Sequence, residues 1–192
     1  MVISIDPGVT HCGVSVVKNM GVGKVTVLDH VNVRGSRKLQ EEYLEVAESH
    51  GERTGKLFRI CSAIKEYLLK YPKITHIVVE APFFSARSPR AFEALLDVIH
   101  AIKYIVSIPE AIELISLEPT LVKKVFTGKG NSKKEIMLEY INKKIDSKDI
   151  LVEERESLTE HEIDSIAVGY TFFNMEKVAV EVPLKGRKKK GK

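Results

Sequence analysis

The chain has 192 residues, 44% hydrophobic and 29% charged, with a formal net charge of +4 at pH 7. That length suits one domain with its own core, and the composition excludes a disordered chain. No apolar run approaches the roughly 20 residues of a membrane span, and with strand residues from Val2 onward we expect no signal or transit peptide.

The charge is unevenly placed. Residues 185–192 hold six of the 30 Lys and Arg and no acid, leaving a body of 24 basic and 26 acidic side chains. A basic end on a weakly acidic body suits contact with a polyanion, and equally a solvated end that aids solubility. We expect one domain over 1–180 and a basic, flexible tail over 181–192. Cys12 and Cys61 fall in apolar patterns far apart and read as buried thiols of a reducing compartment.

In chain order, Val2, Ile3 and Ile5 form a buried-strand signal that stops at Pro7-Gly8, and residues 12–17 follow as a second strand. Glycines within 19–24 predict a hairpin turn into a third strand, 25–33. Residues 34–52 are polar, a loop with a short helix around 40–48. Gly55 precedes an amphipathic helix with Leu57, Ile60, Cys61, Ile64 and Leu68 on one face, ended by Tyr71-Pro72. Residues 74–79 form a fourth strand that runs into Glu80-Ala81-Pro82. Ser88-Pro89 reads as an N-cap followed by proline at the first helical position. The helix it opens carries Phe92, Leu95, Leu96, Ile99, Ile102, Ile105 and Val106, a stripe wide enough for the sheet and a second subunit, and Pro109 ends it.

A fifth strand is expected over 113–117, then a short helix from Pro119 to Val125 and a basic loop at Gly128-Lys129-Gly130. Ser132 to Glu135 and Thr159 to Glu162 both have capping-box spacing, with a loop expected over 147–157 between the helices they open. The order predicts an α/β fold: a mixed sheet of five strands, a three-strand antiparallel meander plus parallel strands, flanked by helices.

Three acids sit at element ends in apolar surroundings. Asp6 ends the first strand, Glu80 the fourth, and Asp164 lies in the first turns of the last helix, three residues after His161 on the same face. Burying a carboxylate is costly unless it is paired, hydrogen-bonded or bound to a cation. Acids gathered at strand ends and a helix start make an oxygen-rich site with one imidazole. Mg²⁺ favours such oxygens, and Mn²⁺ also tolerates histidine. Two ions about 3.5–4 Å apart activate water and stabilise the leaving oxygen in phosphodiester hydrolysis. Taken singly, each residue has a plainer reading: strand ends for Asp6 and Glu80, a helix start for His161, a dipole partner for Asp164.

Four segments together resemble the RuvC-type Holliday junction resolvases of the ribonuclease H-like superfamily. They are Ile3-Ser4-Ile5-Asp6-Pro7-Gly8 with Gly13; Val78-Val79-Glu80 with Phe83; Val122-Lys123 with Gly128, Gly130 and Lys134; and His161-x-x-Asp164-Ser165-Ile166-Ala167. They occur in the family's order over most of 1–175. The resemblance implies that Asp6, Glu80, His161 and Asp164 bind two Mg²⁺ ions, with Mn²⁺ able to substitute. It implies a structure-selective endonuclease that nicks four-way junctions symmetrically, resolving recombination or replication intermediates.

By the same resemblance Lys134 lies near the scissile phosphate, Lys123 contacts DNA, and Phe83 stacks on bases. Core packing is an even alternative for Phe83 and Phe84. Basic clusters at Arg34-Arg37-Lys38, at Arg87-Arg90, and at Lys123, Lys124, Lys129, Lys133 and Lys134 would line a path for phosphates. The 89–106 helix becomes the expected homodimer contact, since a four-way junction has two-fold symmetry. No membrane partner is expected, and the location is cytoplasmic, in a bacterial cytosol or, for a phage or viral member, an infected host cell.

The chain departs from the family pattern at His161, often aspartate there, and in the 34–52 insertion and basic tail. Glu118 and Glu160 are acids near the motifs without an assigned role. The alternatives are a branched-DNA nuclease acting broadly on forks and flaps, a non-catalytic branched-DNA binder of the same fold, and an ATP-binding phosphotransferase of the actin-like superfamily. The chain is short for that last fold's paired domains.

Overall fold

β-Branched residues crowd the first third of the chain, and three strands form there: β1 (Val2–Asp6), β2 (His11–Asn19) and β3 (Val25–Arg34). In the computed structural model, which describes residues 1–35, 41–84, 88–107, 112–153 and 158–180, they make the expected antiparallel meander. Helices α1 (Glu41–His50) and α2 (Glu52–Lys70) follow, then β4 (His76–Glu80), α3 (Pro89–Val106) and β5 (Glu113–Leu117). The chain continues through α4 (Pro119–Thr127), α5 (Lys134–Asp146), a two-residue β6 (Ile150–Leu151) and α6 (Glu160–Val180).

Among the described residues the sheet has six strands in the order β5-β4-β1-β2-β3-β6, antiparallel at its centre and parallel at both flanks. The sixth strand corrects the expectation of five. Ile150 and Leu151, read as loop, pair with Val25 and Thr26, and a two-residue strand leaves no periodicity to read.

Two local expectations also change. Gly55 lies inside α2, which begins at Glu52, and is buried there. Ser132 does not cap α5: its hydroxyl bonds Thr127 Oγ1 at 2.6 Å and the Lys129 carbonyl at 2.8 Å, tying the glycine loop instead, and Lys133 takes the cap position. Ser88 holds the cap position of α3 without a side-chain bond. Arg37, Lys38, Arg87, Pro109 and the expected 181–192 tail lie outside the described residues.

Alternation along β1 divides the core in two. Ile3 and Ile5 pack with Ile77, Val79 and the inner faces of α2 and α3, while Val2 joins Val17, Val78 and the helices α4, α5 and α6. Cys12 is fully buried on the α2 side and Cys61 partly so, and burial pushes the Cys12 thiol up to about 12. On α3, Val98, Ile99, Ile102, Ile105 and Val106 are buried, so the second half of its stripe faces this subunit's own core. Among the described residues, no helix is long and apolar enough to cross a membrane.

Helix α6 lies directly on the sheet. A Cβ on Gly169 would stand 2.7 Å from Ser4 Oγ and from Val17 Cγ2, and one on Gly13 would stand 1.8 Å from the His161 carbonyl oxygen. No side chain fits at Gly13, so the opening of α6 rests on the backbone of β2.

Candidate active site

The register brings the acids together. β1 and β4 are parallel neighbours with Ile5 opposite Val79, so Asp6 and Glu80 leave the sheet side by side at its C-terminal edge. Both follow the alternation of residues that face α6, Ser4 and Val78. The first turn of α6 lies over that edge and supplies His161 and Asp164. Four residues from three distant segments thus meet where two strands end and one helix begins.

His161 Nδ1 stands 2.8 Å from Asp6 Oδ2. A carboxylate oxygen accepts, so Nδ1 donates its proton there, and in the neutral ring the lone pair is on Nε2. On its other side the His161 ring is stacked on His11, centroids 5.1 Å apart and planes within 9°. The hydrogen bond to Asp6 outweighs burial and holds the His161 pKa above its usual value.

Among the described residues, Glu80 and Asp164 show no hydrogen-bonded partner of this kind. Burial, with the charges of Asp6 and Asp164, pushes Glu80 up to about 7, against the pull of Lys123. Burial, with the charges of Asp6 and Glu160, pushes Asp164 up to about 7, against His161 and Lys123. Mutually repelling carboxyls in a partly buried edge are what a hard divalent cation neutralises, and three carboxylates with one imidazole fit Mg²⁺ or Mn²⁺. Among the described residues no group of three or more His, Cys, Asp or Glu stands in metal-holding geometry, and Asp6 and His161 are engaged with each other.

Lys134, at the start of α5, reaches the same edge. Its ammonium is ion-paired with Glu160, which holds its pKa up, and it also feels the charges of Asp164 and Asp6. A cavity of about 270 Å³ opens between these groups, floored by Met137, Leu158 and Ile163. Lys123 on α4 is the half-buried cation of the site. Lys129 and Lys133 line a different cavity, of about 320 Å³, between the glycine loop and α5. Phe83, just beyond β4, is 74% exposed, which rejects the core-packing reading for it. Phe84 is also exposed and meets Phe92 edge-on at 5.3 Å.

Three features near the site were not read from the sequence: the Glu160–Lys134 pair, the His11–His161 stack, and a hydrogen bond from His30 to Glu162. For the third, the capping box at Thr159 marked Glu162 as a helix-start acid, but nothing in the sequence pointed to His30 as its second partner.

A family model described as crossover junction endodeoxyribonuclease RuvC matches residues 2–168. The chain belongs to the RuvC family. It is accordingly a crossover junction endodeoxyribonuclease, of a family that depends on divalent metal. Solved structures share the fold. A Thermus thermophilus RuvC in complex with Holliday junction substrate has TM-score 0.65 at 22% identity, over 95% of this chain and 98% of that one. A second Thermus thermophilus RuvC structure has TM-score 0.61 at 24% identity, over 92% and 96%. The yeast mitochondrial Holliday junction resolvase Ydc2 has TM-score 0.60 at 15% identity, over 90% and 78%. No curated protein matches the chain.

Proposed function

We propose that this protein resolves four-way DNA junctions by paired, symmetric nicks made as a homodimer, with Asp6, Glu80, Asp164 and His161 as the metal-binding catalytic set. The observation that carries the proposal is the meeting of those four side chains at the shared edge of β1, β4 and α6. That a Thermus relative of the same fold is seen with a Holliday junction supports the substrate.

In this reading Asp6, Glu80 and Asp164 offer oxygens, and His161 offers Nε2, to two Mg²⁺ ions that Mn²⁺ can replace. Ions bound there supply an activated water and stabilise the departing oxygen. The protein's own part is placement. Asp6 fixes the tautomer and ring plane of His161 through Nδ1. Lys123 and Lys134 hold the scissile phosphate beside the acids, and Lys129 and Lys133 hold backbone phosphates farther along. The exposed Phe83 ring stacks on an unpaired base near the junction centre, a contact worth roughly 1–3 kcal/mol. The nuclease unit is residues 1–180, with the basic tail adding non-specific affinity.

Symmetric cutting calls for a C2 dimer, and α3 is its proposed contact, since Phe92, Leu95 and Leu96 remain only half-buried within one subunit. Sedimentation of the purified protein should show two subunits. The function is tested by a cleavage panel in Mg²⁺ and in Mn²⁺: four-way junction, fork, flap and plain duplex. Paired nicks across the four-way junction, at least about tenfold faster than on the others, are expected. Equal cutting of forks and flaps would leave a broad branched-DNA nuclease, and no cutting with either ion a binding protein.

A further inference from the structure

The opening turn of α6 is fastened to three strands at once. His161 reaches Asp6 at the end of β1. Ser165 Oγ lies 2.5 Å from Ser15 Oγ on β2 and also donates to the Glu162 carbonyl at 2.8 Å. Glu162 reaches β3, where His30 Nδ1 stands 2.8 Å from its Oε1. Ser15 and His30 are opposite each other across β2 and β3, so these two fastenings share one register position.

Glu162 does two jobs with its two oxygens. While Oε1 meets His30, Oε2 accepts from the Thr159 backbone N–H at 2.8 Å and the Thr159 hydroxyl at 2.6 Å. Its side chain is 8% exposed and that of His30 13%. A buried carboxylate with three donors is held in one rotamer. Its helix neighbours are His161 on one side, bonded to Asp6, and Asp164 two residues on, whose charge acts on Glu80 and which feels that of Asp6. A shift of α6 along its axis would therefore break the Glu162 bonds as it moved His161 and Asp164 off the strand-end acids.

We propose that Glu162 and His30 are positioning residues for the nuclease reaction: a clamp from β3 to α6 that sets where His161 and Asp164 stand relative to Asp6 and Glu80. Neither touches the substrate. This rests on the site reading given above, and goes beyond it in assigning function to two residues outside the four-residue set.

The test uses full-length protein with two readouts: Mn²⁺ titrated by calorimetry without DNA, and steady-state nicking of a synthetic four-way junction. Glu162→Ala and His30→Ala should each weaken Mn²⁺ binding about 10- to 100-fold and lower kcat by a similar factor, the usual cost of losing an outer partner of a metal site. KM for the junction should stay within about twofold. Glu162→Gln, which can still accept from Thr159 and donate to His30, should recover to within about threefold of wild type. The double variant should be no worse than the worse single one, because both remove the same contact. Should Glu162→Ala fail to fold, His30→Ala leaves the Thr159 cap intact and carries the test. Wild-type Mn²⁺ binding and kcat in His30→Ala, or a Gln variant as impaired as Ala, overturns the clamp. Asp164→Asn runs alongside: if it binds Mn²⁺ and cuts normally, the site reading itself fails, whereas a dead Asp164→Asn with intact clamp variants rejects the clamp alone.

Discussion

Asp6 and His161 stand 155 positions apart in the sequence and share a 2.8 Å hydrogen bond between Oδ2 and Nδ1. That bond joins the end of the first strand to the start of the last helix, and in the proposed site His161 Nε2 is the donor to metal. His161→Ala should therefore lower cleavage about 10- to 100-fold. His161→Asp, which restores an all-oxygen set, should recover much of it and shift the ratio of Mn²⁺- to Mg²⁺-supported rates toward Mg²⁺. An unchanged ratio in His161→Asp argues against His161 as a ligand.

The raised pKa values of Glu80 and Asp164, each about 7, carry a stability consequence with a definite sign. Unfolded carboxyls titrate near about 4, so between there and about pH 7 the folded state binds more protons than the unfolded one. Stability from these two groups is greatest at the acid end of that window and is lost as pH rises through it. The Tm of EDTA-treated wild type, minus that of Glu80→Gln/Asp164→Asn, should therefore fall between pH 5 and pH 8. Added Mg²⁺ should raise the wild-type Tm at pH 8 and leave the variant unmoved. A flat difference across the range contradicts the assignment.

Glu160 faces Lys134 and competes with any phosphate that Lys134 would hold. Both side chains are well exposed, so the pair contributes at most about 1 kcal/mol. Glu160→Gln should tighten junction binding by about two- to fivefold and steepen its salt dependence by roughly one phosphate contact. Lys134→Ala should weaken cleavage more than binding. Fluorescence anisotropy at several salt concentrations reads both effects.

Gly13 has no room for a side chain, since a Cβ would lie 1.8 Å from the His161 carbonyl oxygen. Backbone on both sides means neither can yield locally, so Gly13→Ala must lift the opening of α6 from β2. Urea unfolding should show a loss of about 1–3 kcal/mol, typical of overpacking, and cleavage should fall further than stability does. Gly21→Ala, at a glycine with nothing near its absent Cβ but a positive φ, should cost stability without touching cleavage.

Much of this was legible in the sequence because strong local signals coincided. The β-branched runs gave β1 to β4, Ser88-Pro89 gave the start of α3, and Asp6 and Glu80 stood out as acids ending apolar strands. The capping box at Thr159 placed the start of α6, and so placed His161 and Asp164 in its first turn. What escaped was long-range. β6 is two residues held only by its neighbour β3, and Ser132 took a loop bond in place of a cap, a choice made by Thr127. His30 reads as one more polar residue on a strand until α6 is laid over it, and Glu160 had no visible partner until α5 turned Lys134 toward it.

The central claim is that Asp6 belongs to the cutting machinery and not to the fold or to DNA recognition. Asp6→Asn, assayed in parallel for four-way junction binding and for nicking in Mg²⁺, tests it most directly. Binding within about threefold of wild type, with nicking down at least about 100-fold, is expected from losing a charged ligand that also orients His161. Nicking at the wild-type rate would contradict the site.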